Sequence, residues 1–324
     1  MNKFEKAGLL VFVLIFSFAV IVSAADTTEI NVGSLKGPTT LGMLKMLSDS
    51  DEGQSALKIN DTMTGTADEI VTGLVGGKLD AAAVPCNLAG VLYNKTKGGI
   101  QNAAINTLGV LYVVETGNKI QSVADLKGMT IYSTGKGTTP EFALNYILKQ
   151  NGIDPEKDVT IEYKSEATEV AAMLADAAEG VAAVLPQPYV TAVQMQNDKV
   201  RVALSLTDEW NKVSKDSALL TGCLVVRKDF ADANKDVFNT FLNEYKASAE
   251  WVNANVDQAA DLAVKYEVVA KAPIAKKAIP ACNITYIDGD EMKTKLNGYL
   301  SVLFAAEPKS VGGKMPADDF YYTK

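Results

Sequence analysis

Two doubly wound α/β lobes joined by two hinge crossings, with C-terminal helices packing on the first lobe, form the fold class that this sequence predicts. Three observations predict it. The chain echoes itself at an offset of roughly one hundred residues. Short β-branched runs alternate with runs of helical spacing. Two long apolar runs bracket the second half of the echo.

The first element of the echo is INVGSLKGPTTLGML, residues 30–44, against TIYSTGKGTTPEFAL, residues 130–144. They align without gaps and share Lys36/Lys136, Gly37/Gly137, Thr39/Thr139 and Leu44/Leu144. MTGTADEIVTGL (63–74) then matches YKSEATEVAAML (163–174), and LDAAAVPCN (79–87) resembles GVAAVLPQP (180–188) with one residue more of offset. Each unit reads as a strand, a glycine loop and a helix. Thr66 with Glu69 and Thr138 with Glu141 have capping-box spacing. Pro140 suits a first helical turn. Gly76 and Gly77 end the helix begun near Ala67, and Gly180 the one begun near Thr168. Strands alternating with helices predict parallel sheets.

NTLGVLYVVETG (106–117) and ALLTGCLVVRKDF (218–230) are the expected crossings, so the second lobe is an insertion into the first. The expected boundaries are 25–112 with 222–324 for the first lobe and 113–221 for the second. From Phe230 onward the sequence is mostly helical. It is too short and interrupted to stand alone, so it returns to the first lobe.

With 324 residues, 48% hydrophobic and 22% charged, the chain is long enough for two lobes and has a globular composition. Residues 1–24 carry two early lysines, an apolar run and a Val-Ser-Ala end, the layout of a signal peptide cleaved before Ala25; an uncleaved membrane anchor is the alternative. Losing Lys3, Glu5 and Lys6 takes the formal charge from −8 to −9, which argues against nucleic acid as a partner. Cys86, Cys223 and Cys282 form no disulfide framework or metal cage, and none lies at the signal junction to take a lipid. The expected protein is exported, to the periplasm or cell surface. The chain has no histidine, the commonest general base and metal ligand, so neither a metal, a cofactor nor catalytic residues are expected.

GKGTTPEF, residues 135–142, looks like a phosphate loop but fails that pattern twice: Lys136 precedes Gly137 instead of a hydroxyl residue, and Thr130 stands where the first glycine belongs. Its position explains it better. In open parallel sheets ligands bind beyond the carboxyl ends of the strands, where loops enter helices. That rule selects Lys36, Gly37, Pro38, Thr39, Thr40, Thr64, Gly65, Thr66, Pro85 and Asn87 in the first lobe. In the second it selects Thr134, Lys136, Gly137, Thr138, Thr139, Glu166, Gln187 and Tyr189. Unpaired N–H groups at helix starts attract anionic or polar groups. The glycines admit close approach, the threonines offer hydroxyls, and Gln187 and Asn87 orient a polar group. Lys36 and Lys136 either add charge or belong to a solvated rim. Tyr189, Tyr132 and Tyr112 are candidates to stack on a ring, or core residues.

The segments 67–95, 123–163 and 182–191 resemble solute-binding proteins of ABC importers. More narrowly, the chain is similar to the nitrate, sulfonate, taurine and thiamine-precursor binding group with the type 2 periplasmic-binding fold, over nearly all of Glu29 to Lys309. The resemblance implies binding in the interlobe cleft, closure of the lobes, and delivery to an ABC permease; the protein is expected to act as a monomer. Two departures stand out: Gln187 occupies a place where many relatives carry an acidic residue, and the lipid-anchor cysteine of many Gram-positive relatives is missing. A sensing module feeding a receptor and an enzyme of the pyrimidine-synthase branch are the alternatives, the latter lacking that branch's histidine and cysteine-rich motif. Arg201 and Arg227, the only arginines, lie outside the selected loops, so no bidentate clamp on a carboxylate or sulfonate is evident. A small solute with one polar or anionic group, sulfonate-like or heterocyclic like the thiamine pyrimidine, is the expected ligand.

Overall fold

The computed structural model describes residues 28–324, and the expected signal peptide lies outside them. Two mixed sheets organise the chain. The first holds β1 (Thr28–Leu35), β2 (Leu57–Thr64), β3 (Ala81–Pro85) and β4 (Ile100–Leu108). The second holds β5 (Leu111–Thr116), β6 (Thr130–Ser133), β7 (Thr160–Tyr163), β8 (Ala182–Pro186) and β9 (Val200–Ser205). β10 (Leu220–Arg227) and β11 (Ile284–Ile287) return to the first sheet, giving the orders β11-β4-β10-β3-β1-β2 and β7-β6-β8-β5-β9.

Apart from β11, which adds to the first sheet antiparallel to β4, the two orders are equivalent, and each has an antiparallel strand in its interior where the sequence predicts only parallel pairing. β10 runs against β3 and β4, and β5 against β8 and β9. The reason is the crossing itself. A chain that leaves one sheet at the carboxyl edge of its strands enters the other at that same edge, and so must run the opposite way. The crossings are Gly109–Val110 and the segment from Ser214 to Leu219, so the expected boundaries at 112/113 and 221/222 fall inside β5 and β10. The crossings touch: a Cβ on Gly109 would meet Thr207 and lie 3.3 Å from the Leu219 carbonyl.

Between the strands run α1 (Pro38–Leu41), α2 (Leu44–Asp51), α3 (Ala67–Val75) and α4 (Cys86–Lys95) in the first lobe. The second lobe has α5 (Thr139–Gln150), α6 (Ala167–Asp176), α7 (Tyr189–Gln196) and α8 (Leu206–Val213). After β10 come α9 (Lys228–Ala233), α10 (Lys235–Ala254), α11 (Val256–Lys265), α12 (Ala272–Ala278) and α13 (Gly289–Ala306). The apolar stripe of α10, Phe238, Phe241, Leu242, Tyr245, Ala249 and Val252, is buried against α2 and β11, which returns the C-terminal helices to the first lobe. Among the described residues no helix is long and apolar enough to cross a membrane.

Both faces of the sheets are covered, so the central strands β3, β8 and β10 are largely apolar and buried, while the edge strands β2 and β7 keep exposed polar positions. Ala81, Ala83, Leu224 and Val226 enter one core with α2, α10 and α12, while Ala82, Val84, Cys223 and Val225 face the other. That second core continues into the inserted lobe through an aromatic stack, in which Trp210 of α8 lies 4.7 Å from Tyr146 of α5 and 5.5 Å from Tyr299 of α13. The three cysteines are buried and free.

The ladders refine the echo. Val32 pairs with Asp61 and Ala81, and Ile131 with Ile161 and Ala182, so Ile131 and not Tyr132 takes the place of Val32. Lys36 and Gly37 are the whole turn between β1 and α1, whereas residues 134–138 separate β6 from α5. Lys36 and Lys136 thus match in sequence but not in place. The expected capping boxes also change. Thr66 makes no side-chain cap, and Thr138 donates to the Gly135 carbonyl at 2.7 Å while Glu141 accepts from the Gly137 N–H. A capping box does form at Glu166 with Glu169. α6 stops at Asp176, and Gly180 instead pairs its N–H with the Thr116 carbonyl at 2.7 Å.

Candidate functional site

A cavity of about 520 Å³ lies between the lobes at the carboxyl ends of both sheets. Its wall includes Lys36, Pro38, Thr39, Gly65, Thr66, Pro85, Thr134, Lys136, Gly137, Thr138, Thr139, Glu166 and Tyr189, all singled out from the sequence. Five others have different duties. Gly37 sits in the turn with φ 149°, where a Cβ would come 3.9 Å from the Tyr189 ring. Thr40 is fully buried and donates to the Leu35 carbonyl at 2.6 Å, and Thr64 donates to the Thr66 carbonyl at 2.7 Å. Gln187 accepts from the Thr191 N–H at 3.2 Å and its hydroxyl at 2.9 Å, so it caps α7 instead of orienting a solute.

Asn87 is the fifth, and it joins the lobes. Its Nδ2 donates to the Gly137 carbonyl at 3.2 Å and the Ser310 carbonyl at 3.0 Å, while its Oδ1 accepts from Thr139 at 3.3 Å. Tyr299 in turn donates to the Thr139 hydroxyl at 3.2 Å. Thr139 therefore spends both its proton and a lone pair on contacts with the first lobe. On the opposite side Tyr189 donates to the Lys36 carbonyl at 3.3 Å, and the Glu166 carboxylate lies directly over Gly65. Burial, with Glu166 adding to it, pushes the Tyr189 phenol up to about 12, so it remains a donor at neutral pH. With both sides bridged, the structure holds the cleft closed.

The wall changes character with depth. At the end nearest the crossings lie Leu111 at the start of β5, Leu88, Pro85, Pro186 and Thr221, almost entirely buried apart from Pro186. The outer end carries Lys36, Lys136 and Lys164 against Asp68 and Glu166, one positive charge in excess. Among the described residues Lys36 and Lys136 have no carboxylate within 4 Å, whereas Lys164 lies 3.5 Å from Glu162. Lys136 sits 5.9 Å from the Tyr163 ring centre and Lys164 5.3 Å from that of Tyr132, attractive placements for a cation over an aromatic face. Tyr132 thus supports a lysine; it and Tyr112 belong to the core of the second lobe and are not part of the wall. Arg201 binds Glu115 and the carbonyls of Gly117 and Ile120, and Arg227 pairs with Asp80 at 3.4 Å, so neither arginine reaches the cavity.

Thr221, Leu111, Leu88, Asp68 and Lys164 were not selected from the sequence. Lys164 adjoins the selected Glu166 loop and Asp68 follows Thr66 into α3, so a wider window would have included both. Leu111 and Thr221 lie on β5 and β10 just past the crossings, which a rule about loops after parallel strands does not reach.

The fold is the two-lobed type 2 periplasmic-binding fold, with a closed cavity between its lobes. The NMT1/THI5 like family model matches residues 100–259. Among solved structures, an ABC transporter protein from Parabacteroides distasonis is similar with a TM-score of 0.71 and 23% identity, covering 92% of this chain and 99% of that one. The alkanesulfonate-binding protein of Xanthomonas axonopodis pv. citri, solved with MOPS, gives 0.70 and 13%, covering 91% and 96%. The periplasmic aliphatic sulphonate binding protein of Escherichia coli gives 0.69 and 16%, covering 91% and 92%. No curated protein matches the chain. These neighbours share the type 2 periplasmic-binding fold expected from the sequence.

Proposed function

We propose that this chain is an extracytoplasmic solute-binding protein of an ABC importer. It captures a small organic solute, sulfonate-like or heterocyclic like the thiamine pyrimidine, in the interlobe cavity and presents the closed form to a membrane permease. The observation that carries the reading is the closed cavity, walled by loops from both lobes and bridged by Tyr189 to Lys36 and by Asn87 to Gly137. Those bridges exist only when the lobes meet, so a solute touching both walls favours the closed form by its differential affinity for that state. Lys36 and Lys136, which have no carboxylate within 4 Å among the described residues, favour a ligand with an anionic group at the outer end. In this reading the moving bodies are the two lobes, turning about the crossings at Gly109–Val110 and Ser214–Leu219, and binding occurs without turnover. Export follows the N-terminal sequence, and the protein works as a monomer.

Solution scattering with and without ligand tests the mechanism: the radius of gyration is expected to fall on binding, and an unchanged radius removes hinge closure. A thermal-shift screen of sulfonates and pyrimidines tests the ligand class. A ligand at a hundred times its Kd stabilises by about 2.7 kcal/mol, well above detection.

A further inference from the structure

The first crossing is tied on both sides. The N–H of Leu108, the last residue of β4, donates to the Asn283 carbonyl at 3.1 Å. The Nδ2 of the same asparagine donates to the Gly109 carbonyl at 2.7 Å. Asn283 directly precedes β11, which pairs with β4, so its two bonds fix the Gly109 carbonyl to the first sheet. It reaches both groups from the left-handed region, at φ 46°. One residue further on, the Val110 carbonyl accepts from the Gln187 N–H at 3.1 Å. That bond prolongs the ladder in which Leu111 faces Pro186, and it fixes the Val110 carbonyl to the second sheet. Successive carbonyls thus belong to different lobes. Because peptide units are planar, only φ and ψ of Val110 lie between them. Val110 is fully buried, yet it is not a member of the apolar cluster that Leu111 and Leu219 join. The second crossing has more room to turn: Ser217 accepts from Trp210 Nε1 of the second lobe at 3.0 Å and Leu220 faces Leu108 of the first, leaving Ala218 and Leu219 between.

We propose that Val110 is the pivot of the two lobes, and that Asn283 and Gln187 are positioning residues that confine the turn to it. The inference rests on the hinge-closure reading and deepens it. A hinge concentrates its change of φ and ψ in a few residues, and here the crossing with the fewest free torsions sets the axis while the other follows. The side chain of Val110 limits the arc, because a β-branched residue is held mostly to the extended region. Gly109 is not the free joint that its residue type suggests. Its φ lies outside the left-handed region, and its missing side chain makes room for Thr207 of the second lobe. Leu111, at the deep end of the cavity, follows the pivot directly. The turn that closes the lobes therefore swings that part of the wall against Leu88 and Pro85 of the first lobe.

The test is the distance between spin labels on Val75→Cys and Asp176→Cys, the exposed last residues of α3 and α6, one in each lobe. The native cysteines are buried, so the labels attach to the introduced pair. Pulsed electron resonance on the unliganded chain with native Val110 is expected to give a distribution centred beyond the separation in the closed structure. Val110→Gly is expected to broaden it and move it to longer distances, since glycine opens the torsions that valine restricts. Asn283→Gly, which keeps the left-handed backbone and removes only the amide, is expected to broaden it too by releasing the Gly109 carbonyl. Leu108→Gly is expected to leave the distribution unchanged, because Asn283 still holds the groups on either side. A Val110→Gly distribution no broader than that of native Val110, an unchanged Asn283→Gly distribution, or a Leu108→Gly distribution as broad as that of Val110→Gly overturns the pivot alone. If native Val110 and Val110→Gly both show only the closed separation, hinge closure is overturned and the pivot with it.

Discussion

Tyr189 of the second lobe donates its phenolic proton to the backbone carbonyl of Lys36 in the first, across 3.3 Å. The bond draws its two ends from different lobes, so it rewards closure without holding either lobe together. Tyr189→Phe is expected to leave the unliganded melting temperature unchanged and to weaken ligand binding about five- to tenfold, the value of one net hydrogen bond. Calorimetry and thermal denaturation of the same preparation check both halves.

Gly65 meets the second lobe more closely still, with the Glu166 carboxylate occupying the space where a Cβ would stand. Gly65→Ala is therefore expected to push the flexible end of Glu166 aside and to lower affinity modestly, while the unliganded fold keeps its stability. Glu166→Ala in the same chain is expected to remove that loss, read by calorimetry. If the double variant binds no better than Gly65→Ala, the two residues do not meet as described.

Asn87 has a different balance, because part of its bonding lies inside one lobe. Asn87→Ala leaves the Ser310 carbonyl, the Gly137 carbonyl and the Thr139 hydroxyl without their partner. The expected cost is about 1–3 kcal/mol of unfolding free energy without ligand, measured by urea titration. Stability equal to wild type would show that water replaces the amide there.

Burial pushes the Asp61 carboxyl from its ordinary 3.8 up to about 6, with Asp51 adding slightly and the Ser34 hydroxyl at 3.2 Å opposing. The folded chain then holds a proton that the unfolded chain has released, so between pH 4 and 6 stability falls as pH rises, and above 6 the loss is complete. Asp61→Asn is expected to remove that slope and to raise stability at pH 7 by at most about 3 kcal/mol. Denaturant midpoints of both proteins at pH 4.5 and 7.5 provide the check.

Much of the site could be read from the sequence because the feature that places it is periodic. Two runs of strand, glycine loop and helix put Thr39, Gly65, Thr138 and Glu166 at the ends of strands, and that alone brings them to one cleft. What each side chain does there depends on neighbours distant in sequence. Thr139 looks like a free hydroxyl until Asn87 and Tyr299 claim it, and the amide of Gln187 turns onto Thr191 of the helix that follows it. A Thr39→Val, Thr139→Val pair consequently tests the lobe interface as much as the ligand. Thr221 of the cavity wall gave no signal, since it lies at a bulge that arises from the pairing of two strands more than a hundred residues apart. The antiparallel strands were hidden for a similar reason: apolar runs look alike in either direction.

The equivalent strand orders have a consequence for how the molecule is made. Every strand of the second sheet comes from an unbroken stretch, residues 111–205, whereas the first sheet keeps a vacancy between β3 and β4 until β10 arrives. A chain emerging from its N-terminus can complete the inserted body while the enclosing one still lacks its middle strand. Maturation of the outer body thus waits for the inner one to be threaded past, and truncation between residues 214 and 219 would leave a finished guest in an unfinished host.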